Sequence, residues 1–338
     1  MDVKTNLDKV LFIKAITPVH AGAGQGIDHI DLPIQREQPT RFPIIYASGV
    51  KGAFRQKALE LAYEELSQLN YDECKSFSLS QLDEAVERAK PCEKNTETPR
   101  VENGREVIEE DKCKKHEEVK AIINTLAKIF GSQDCKGSIT FSDAKILFFP
   151  VRSLRGVFAY ATCPMLLKRY AEDTQNEELL EYLEENKDNL TPSDGEVIAP
   201  DNLVVENENG DKIVVLEEFE LRKMDLPDGL IKKLHLPEEL EKQISERVAI
   251  VSDDLFRYFV ENFTEVVTRI KVDPETGTVK SGALWTEEYL PAESVLYSLL
   301  FNTKEVETDD YLTTEAVITL GGNQTVGKGI VKVFSREV

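Results

Sequence analysis

Two of the chain's four histidines, His20 and His29, fall in one glycine-rich stretch, TPVHAGAGQGIDHIDLP, together with Asp28 and Asp31. Imidazole and carboxylate side chains are the usual carriers of protons in catalysis, and the cations Arg36, Arg41 and Lys51 follow closely behind them. Acid/base groups beside cations are what phosphodiester cleavage requires: one group activates a hydroxyl and another holds the phosphate. From pattern alone, a loop stapled by ordinary ion pairs and hydrogen bonds is the competing reading.

Other residues carry weaker chemical signals. Gly322-Asn323-Gln324-Thr325-Val326-Gly327-Lys328 fits the first seven positions of a nucleotide-binding phosphate loop, but Gly329 stands where that loop needs Ser or Thr. The following IVKVF reads as a strand instead of the helix such a loop opens, so the surviving reading is a glycine-rich turn whose amides approach a sugar-phosphate backbone. Cys74, Cys92, Cys113 and His116 form a candidate structural zinc site, Cys113 and His116 being spaced for chelation; unligated thiols in a loop insertion are the alternative. Cys135 and Cys163 lie in apolar surroundings and read as core residues. No G-x-S-x-G elbow is present.

These groups need elements to position them. KVLFIKAIT, at 9–17, reads as a strand, and prolines at 33, 39 and 43 make the next segment a long irregular connection. Ser48 precedes a helical pattern, with Lys51 and Arg55 one turn apart at its start, which makes a phosphate site at that helix N-terminus or simply a capped surface helix. EEVKAIINTLAKIFG predicts a helix ended by Gly131. SITFSDAKILFFPVRS predicts one or two strands, and GVFAYATCPMLLKRYA a helix flanked by Arg152, Arg155, Lys168 and Arg169. Asn209-Gly210 between alternating apolar runs predicts a hairpin within 196–222, read here as a projecting arm. Ser252 caps VSDDLFRYFVENF, a second hairpin turns at 273–277, SVLYSLLFN is a strand, and a final strand closes the chain. Short strands interleaved with a few helices favour an α+β fold of the ferredoxin-like kind.

Composition bounds these readings. A chain of 338 residues, 41% hydrophobic and 30% charged, buries a substantial core and excludes disordered and fibrous classes. No run approaches a membrane span, and the first ten residues lack the apolar core of a signal peptide, so a cytoplasmic protein is expected. Acids outnumber bases by 62 to 41, a net charge of −21 that argues against holding a polyanion. Yet 23 acids and only 7 bases lie in 171–246, whereas from Asp31 to Lys57 two acids face five bases. The acidity is largely one segment's property.

TPVHAGAGQGIDHIDLPIQRE followed by FPIIYASGVKGAFR resembles the N-terminal signature of the RAMP superfamily of CRISPR proteins, specifically the backbone ribonuclease subunit of type III-B (Cmr) effector complexes. FSDAKILFFPVRSLRGVFAYATCP, VSDDLFRYFVENFTEVVTRIKVDPETGTV, ALWTEEYLPAES and LGGNQTVGKGI resemble its later blocks, in order from about residue 9 to 334. The resemblance implies a single RAMP domain over 1–338, with an RNA-recognition-like ferredoxin core and a β-hairpin thumb, which is expected at the 196–222 hairpin around Asn209-Gly210. It implies copies stacked along a guide RNA with other Cmr subunits, cutting complementary target RNA at regular intervals; a non-catalytic RNA-binding subunit is the alternative. The family's essential aspartate falls on Asp31 and its accessory histidine on His20, with an accessory carboxylate at Glu287 or Glu288. Guide contacts fall on Ser48, Lys51, Arg55, Arg36, Arg152, Arg155 and the turn bearing Gly322, Gly327, Lys328 and Gly329. Asp31 suits a bound Mg²⁺ or Mn²⁺ better than the role of a lone base, because an exposed aspartate is a weak base at neutral pH. The insertion at 70–118 and the acidic segment at 171–246 match the family least.

Overall fold

The computed structural model describes residues 7–26, 29–69, 71, 77–91, 116–302, 311–312 and 316–338. The chain divides into two compact units that alternate along the sequence. The larger comprises residues 9–50, 142–299 and 315–338, the smaller chiefly 51–141 and 300–314. Its strands are β1 (Leu7–Ala15), β2 (Ile44–Ile45), β3 (Ile139–Phe141), β4 (Ala144–Ser153), β5 (Val157–Thr162), β6 (Glu196–Ala199), β7 (Val205–Glu206), β8 (Lys212–Leu216), β9 (Phe219–Asp225), β10 (Val248–Ile250), β11 (Glu265–Val272), β12 (Val279–Tyr289), β13 (Val295–Asn302), β14 (Ala316–Thr319) and β15 (Ile330–Glu337). The helices are α1 (Ala47–Gln68), α2 (Leu79–Arg88), α3 (Glu117–Phe130), α4 (Pro164–Asp173), α5 (Glu177–Glu185), α6 (Leu230–Lys233), α7 (Glu238–Arg247) and α8 (Asp253–Asn262).

The larger unit is built on a mixed sheet whose strands run β14-β15-β1-β13-β4-β5-β10-β6-β9-β8-β7. β4 lies near its middle, and Ile146, Leu147, Phe148 and Phe149 are all fully buried. A strand apolar on consecutive residues is one covered on both faces. α8 starts at Ser252, whose hydroxyl accepts from the Leu255 amide at 3.2 Å, as its sequence predicts. In the smaller unit, α3 buries Val119, Ile122, Ile123, Leu126, Ile129 and Phe130 and ends at Gly131 with φ 94°. Cys135 and Cys163 are buried.

Three local expectations are corrected. GVFAYATCPMLLKRYA is a strand followed by a helix: β5 takes the alternating β-branched and aromatic half, and Pro164 at the first helical position starts α4. Ser48 does not cap α1, because the helix begins one residue earlier and the Asp143 carboxylate accepts from the Ala47 amide at 2.7 Å. The turn at Asn209-Gly210 forms, with Gly210 at φ 81°, but β7, β8 and β9 belong to the large sheet. Val214 and Leu216 of β8 are fully buried, so this hairpin is packed and does not project.

The exposed arm lies elsewhere. β11 and β12 form their own two-stranded antiparallel sheet, with Thr268 opposite Thr286 and Arg269 opposite Trp285. The Asp273 carboxylate accepts from the Glu275 and Thr276 amides at 2.9 and 3.2 Å and sets the turn. Val266, Ile270, Val272, Val279 and Leu284 are about half exposed or more, and residues 274–282 at the arm's end are all exposed. Only at Glu287, Glu288 and Tyr289 does β12 become buried.

Candidate active site

The buried end of β12 is where the irregular N-terminal connection is fastened. Val19 and Leu290 exchange backbone hydrogen bonds at 2.9 and 2.8 Å, while Leu32 donates to Thr286 and accepts from Glu288, each at 3.0 Å. These two attachments place His20 and Asp31 against successive residues of one strand. Alternation along β12 then sends Trp285, Glu287 and Tyr289 to one face and Thr286 and Glu288 to the other.

Asp31 is exposed, and its Oδ2 accepts from the Thr286 backbone amide at 2.7 Å and the Thr286 hydroxyl at 3.0 Å. Those two bonds, the backbone one foremost, hold its carboxyl below the ordinary carboxylate range. Its Oδ1 accepts no hydrogen bond from another of the described residues and faces solvent. Asp31 borders an open cleft of about 390 Å³ with Gln25, Gly26, Leu32 and Trp285.

His20 Nδ1 donates to the Glu288 carbonyl at 2.7 Å. A carbonyl only accepts, so Nδ1 carries a proton, and in the neutral ring the lone pair is then on Nε2. Two glycines make room for this residue, one beside its ring and one beside its backbone. A Cβ on Gly22 would come within 2.8 Å of His20 Nε2, and one on Gly321, at φ +86°, would strike the His20 carbonyl.

The adjacent carboxylates differ in what they touch. Glu288 is buried and fully engaged: Oε1 accepts from Arg36 at 2.6 Å and Thr264 at 2.7 Å, and Oε2 from the Ile34 amide at 2.9 Å. Glu287 accepts from Trp285 Nε1 at 2.7 Å, Asn323 Nδ2 at 2.8 Å and the Tyr289 hydroxyl, with Arg269 at 3.9 Å. Burial pushes its carboxyl upward, but bonds from Tyr289 and Trp285 and the charges of Arg269 and His20 outweigh that, and the net shift is downward. Burial, then the bond to Glu287, pushes the Tyr289 phenol up to about 12, so it stays a hydrogen-bond donor at neutral pH. The His20 and Tyr289 rings lie 5.4 Å apart, and the Lys328 ammonium sits 4.8 Å over the Tyr289 ring.

At this strand end, among the described residues, the carboxylate oxygen placed to meet a divalent cation is Oδ1 of Asp31. Among the described residues no three His, Cys, Asp or Glu side chains are grouped to hold a metal. The donors fit an ion shared with substrate oxygens, as Mg²⁺ often is, and do not form a protein cage.

A family model described as the RAMP superfamily matches residues 12–332. The chain belongs to that superfamily. It is 33% identical to the CRISPR system Cmr endoribonuclease Cmr4 of Pyrococcus furiosus over 96% of this chain and 94% of that one. The crystal structure of oligomeric Cmr4 from Pyrococcus furiosus superposes with a TM-score of 0.60 at 28% identity, covering 98% of each chain. A chain of the type III-B Cmr-beta complex bound to cognate target RNA shares the fold, with a TM-score of 0.63 at 21% identity and coverage of 98% of each chain.

The RAMP fold thus gathers His20, Asp31, Glu287, Glu288 and the turn bearing Gly322, Gly327, Lys328 and Gly329 around one strand end. The other expected contacts are scattered or spent. Arg36 is buried against Glu288 and also donates to the Arg41 carbonyl at 2.9 Å, so it braces the loop and is not presented to RNA. Arg152 pairs with Glu217 at 2.6 Å, though its side chain remains 80% exposed. Arg155 donates to the Val204 carbonyl at 2.6 Å. Ser48 is exposed beside a helix start that Asp143 already caps. In the smaller unit Arg55 pairs with Asp83, while Lys51 is half-buried without an ion pair among the described residues. Cys74, Cys92 and Cys113 lie outside the described residues, and His116 stacks on Tyr71 with centroids 3.8 Å apart. A larger apolar cavity of about 460 Å³, lined by α4 and α5, contains none of the site residues. Sequence reading missed Thr286, Tyr289, Asn323 and Arg269. Period-two alternation through WTEEYLP was the available signal for the first two.

Proposed function

We propose that this RAMP protein is the backbone subunit of a type III-B Cmr effector complex, and that within the assembled complex it cuts RNA complementary to a bound guide. The observation that carries this reading is the end-to-end similarity to a Cmr4 endoribonuclease, together with an exposed, ionised Asp31 whose Oδ1 takes no hydrogen bond from another of the described residues. Its partners are guide RNA, target RNA, further copies of itself and other Cmr subunits, and it acts in the cytoplasm. A ferredoxin-like core is part of the same reading. So is the assignment of the thumb to the β11–β12 arm, which is supported by the exposure of its end. Among the described residues no helix is long and apolar enough to cross a membrane.

RNA carries its own nucleophile. The 2′-oxygen forms a bond to phosphorus, the bond to the 5′-oxygen breaks, the hydroxyl proton passes to a base, and the leaving oxygen takes up a proton. The products are a 2′,3′-cyclic phosphate and a free 5′-hydroxyl. His20 Nε2, with its lone pair exposed by the tautomer, accepts the proton. Asp31, whose acidity is raised by Thr286, is a poor base and acts by charge. A Mg²⁺ or Mn²⁺ ion bound by Asp31 would stabilise charge developing on the phosphate. Tyr289 keeps its proton and orients Glu287. Lys328 and the exposed Arg152 are suited to backbone phosphates.

The test is a reconstituted complex given labelled complementary RNA. Several cuts at constant spacing are expected, lost in Asp31→Ala complexes that still assemble on guide RNA, and lost on chelation of divalent cations. Cutting retained by Asp31→Ala would sink the catalytic assignment, and binding without cutting would make the chain a structural subunit.

A further inference from the structure

Two cations stand beside the Glu287–Tyr289 pair. Arg269, on β11, points its guanidinium at Glu287 from 3.9 Å, is 31% exposed, and makes no hydrogen bond among the described residues. The oxygens of Glu287 are already filled by Trp285, Asn323 and Tyr289, so Arg269 stands off from them and keeps its five donors unspent. Lys328, from the glycine-rich turn, places its ammonium over the Tyr289 ring, with no ion pair or hydrogen bond of its own among the described residues. Several other cations of the larger unit are consumed by carboxylates: Arg36 by Glu288, Lys14 by Glu293, Lys145 by Asp173, Arg169 by Glu37.

The carboxylates of Asp31 and Glu287 stand at one strand end, and a phosphodiester brought among them adds another negative charge. Attack by the 2′-oxygen then builds still more charge on the non-bridging oxygens. A planar guanidinium with free donors matches two such oxygens, and an ammonium adds an undirected positive charge. The two cations come from different elements, the arm and the turn, and border the same phenol–carboxylate pair.

We infer that Arg269 and Lys328 form the subsite for the scissile phosphodiester, Arg269 meeting a non-bridging oxygen and Lys328 standing beside it. This rests on the endoribonuclease reading above. The experiment compares assembled complexes carrying wild-type chain, Arg269→Ala, Arg269→Lys or Lys328→Ala. Target binding and single-turnover cleavage are measured on RNA with sulfur replacing a non-bridging oxygen at the scissile phosphate or one nucleotide away. Arg269→Ala should cut on the order of 100-fold more slowly with target binding kept. Arg269→Lys should recover part of the rate, and Lys328→Ala should lose less than Arg269→Ala. Sulfur at the scissile phosphate should slow wild type but add little to the Arg269→Ala defect, while sulfur one nucleotide away should distinguish none of them. Should Arg269→Ala fail to assemble, Arg269→Lys carries the comparison, with its charge kept and its fork lost. Wild-type rates in the variants, or an equal sulfur effect in all of them, overturn the subsite and leave the endoribonuclease reading standing. A wild-type complex that binds target and never cuts overturns both.

Discussion

Glu288 and Glu287 are neighbours in sequence, and the structure assigns them different kinds of work, which substitution should separate. The Arg36–Glu288 pair is 2.6 Å long, with side chains only 7% and 3% exposed. Removing the carboxylate leaves a guanidinium in a site closed to water and strips the Ile34 amide and Thr264 hydroxyl of their acceptor. Breaking a buried pair from one side costs roughly 3–5 kcal/mol. For a cooperative unit of this size, that corresponds to a fall in Tm of about 6–10 °C. Glu288→Ala is therefore expected to lower the unfolding midpoint of the purified chain by that amount, read by calorimetry or far-ultraviolet circular dichroism. The double variant Arg36→Met/Glu288→Leu should regain most of the loss, because it removes the stranded charge along with its partner. Glu287→Gln keeps volume and an acceptor oxygen among neutral donors, so it should unfold closer to wild type while slowing cleavage in the assembled complex. A Glu288→Ala midpoint within 2 °C of wild type, or a double variant no better than the single, would refute the claim that this pair clamps the site loop to β12.

Two further outcomes follow from the same geometry. Because Glu287 has its carboxyl held below the usual 4.5, its contribution to stability is fully present above that pH and disappears as pH falls through the lower folded-state value. Unfolding midpoints followed from pH 6 down to pH 3 should therefore drop more steeply for wild type than for Glu287→Gln, and parallel curves would contradict the assignment. Gly321→Ala puts a methyl against the His20 carbonyl at φ +86°, where L residues are strained. It should lower the midpoint and cut the cleavage rate together, whereas a change in neither would mean that the turn is free to shift.

Local chemistry made much of the fold legible. The Asp273 turn, the Ser252 cap and the Gly131 helix stop each depend on a side chain or a missing one acting on its own backbone, and each forms where the sequence puts it. The errors arise where tertiary partners decide. Ser48 is a good cap by type, yet Asp143, nearly a hundred residues away in sequence, takes the position. Asn209-Gly210 gives a turn either way, but whether a hairpin packs or projects depends on whether another strand covers it, and β9 covers β8. In the site, the glycines and the cluster of His20, His29, Asp28 and Asp31 stand out along the chain, and the RAMP resemblance singles out His20 and Asp31 among them. Thr286, Tyr289, Asn323 and Arg269 could not, since each acquires its role only when β12 is brought between the N-terminal loop and the C-terminal turn.

The same reasoning disposes of the net charge of −21 as an objection to RNA. A sum over the chain treats every charge alike, whereas a phosphate responds to cations within a Debye length that have not been neutralised by carboxylates. By that measure most of the basic residues picked from sequence count for less than they promise: Arg36 and Arg55 are paired, Arg155 is bonded to a carbonyl, and Arg152 is tethered though exposed. Two cations, Arg269 beside Glu287 and Lys328 over the Tyr289 ring, nevertheless stand at the strand end that also holds Asp31. A site poor in free positive charge overall, with what it has concentrated at the strand end, favours phosphate where the chemistry occurs and leaves much of the hold on the guide to neighbouring copies and subunits. Lowering the salt should therefore strengthen RNA binding by the isolated chain only modestly, and binding by the assembled filament far more.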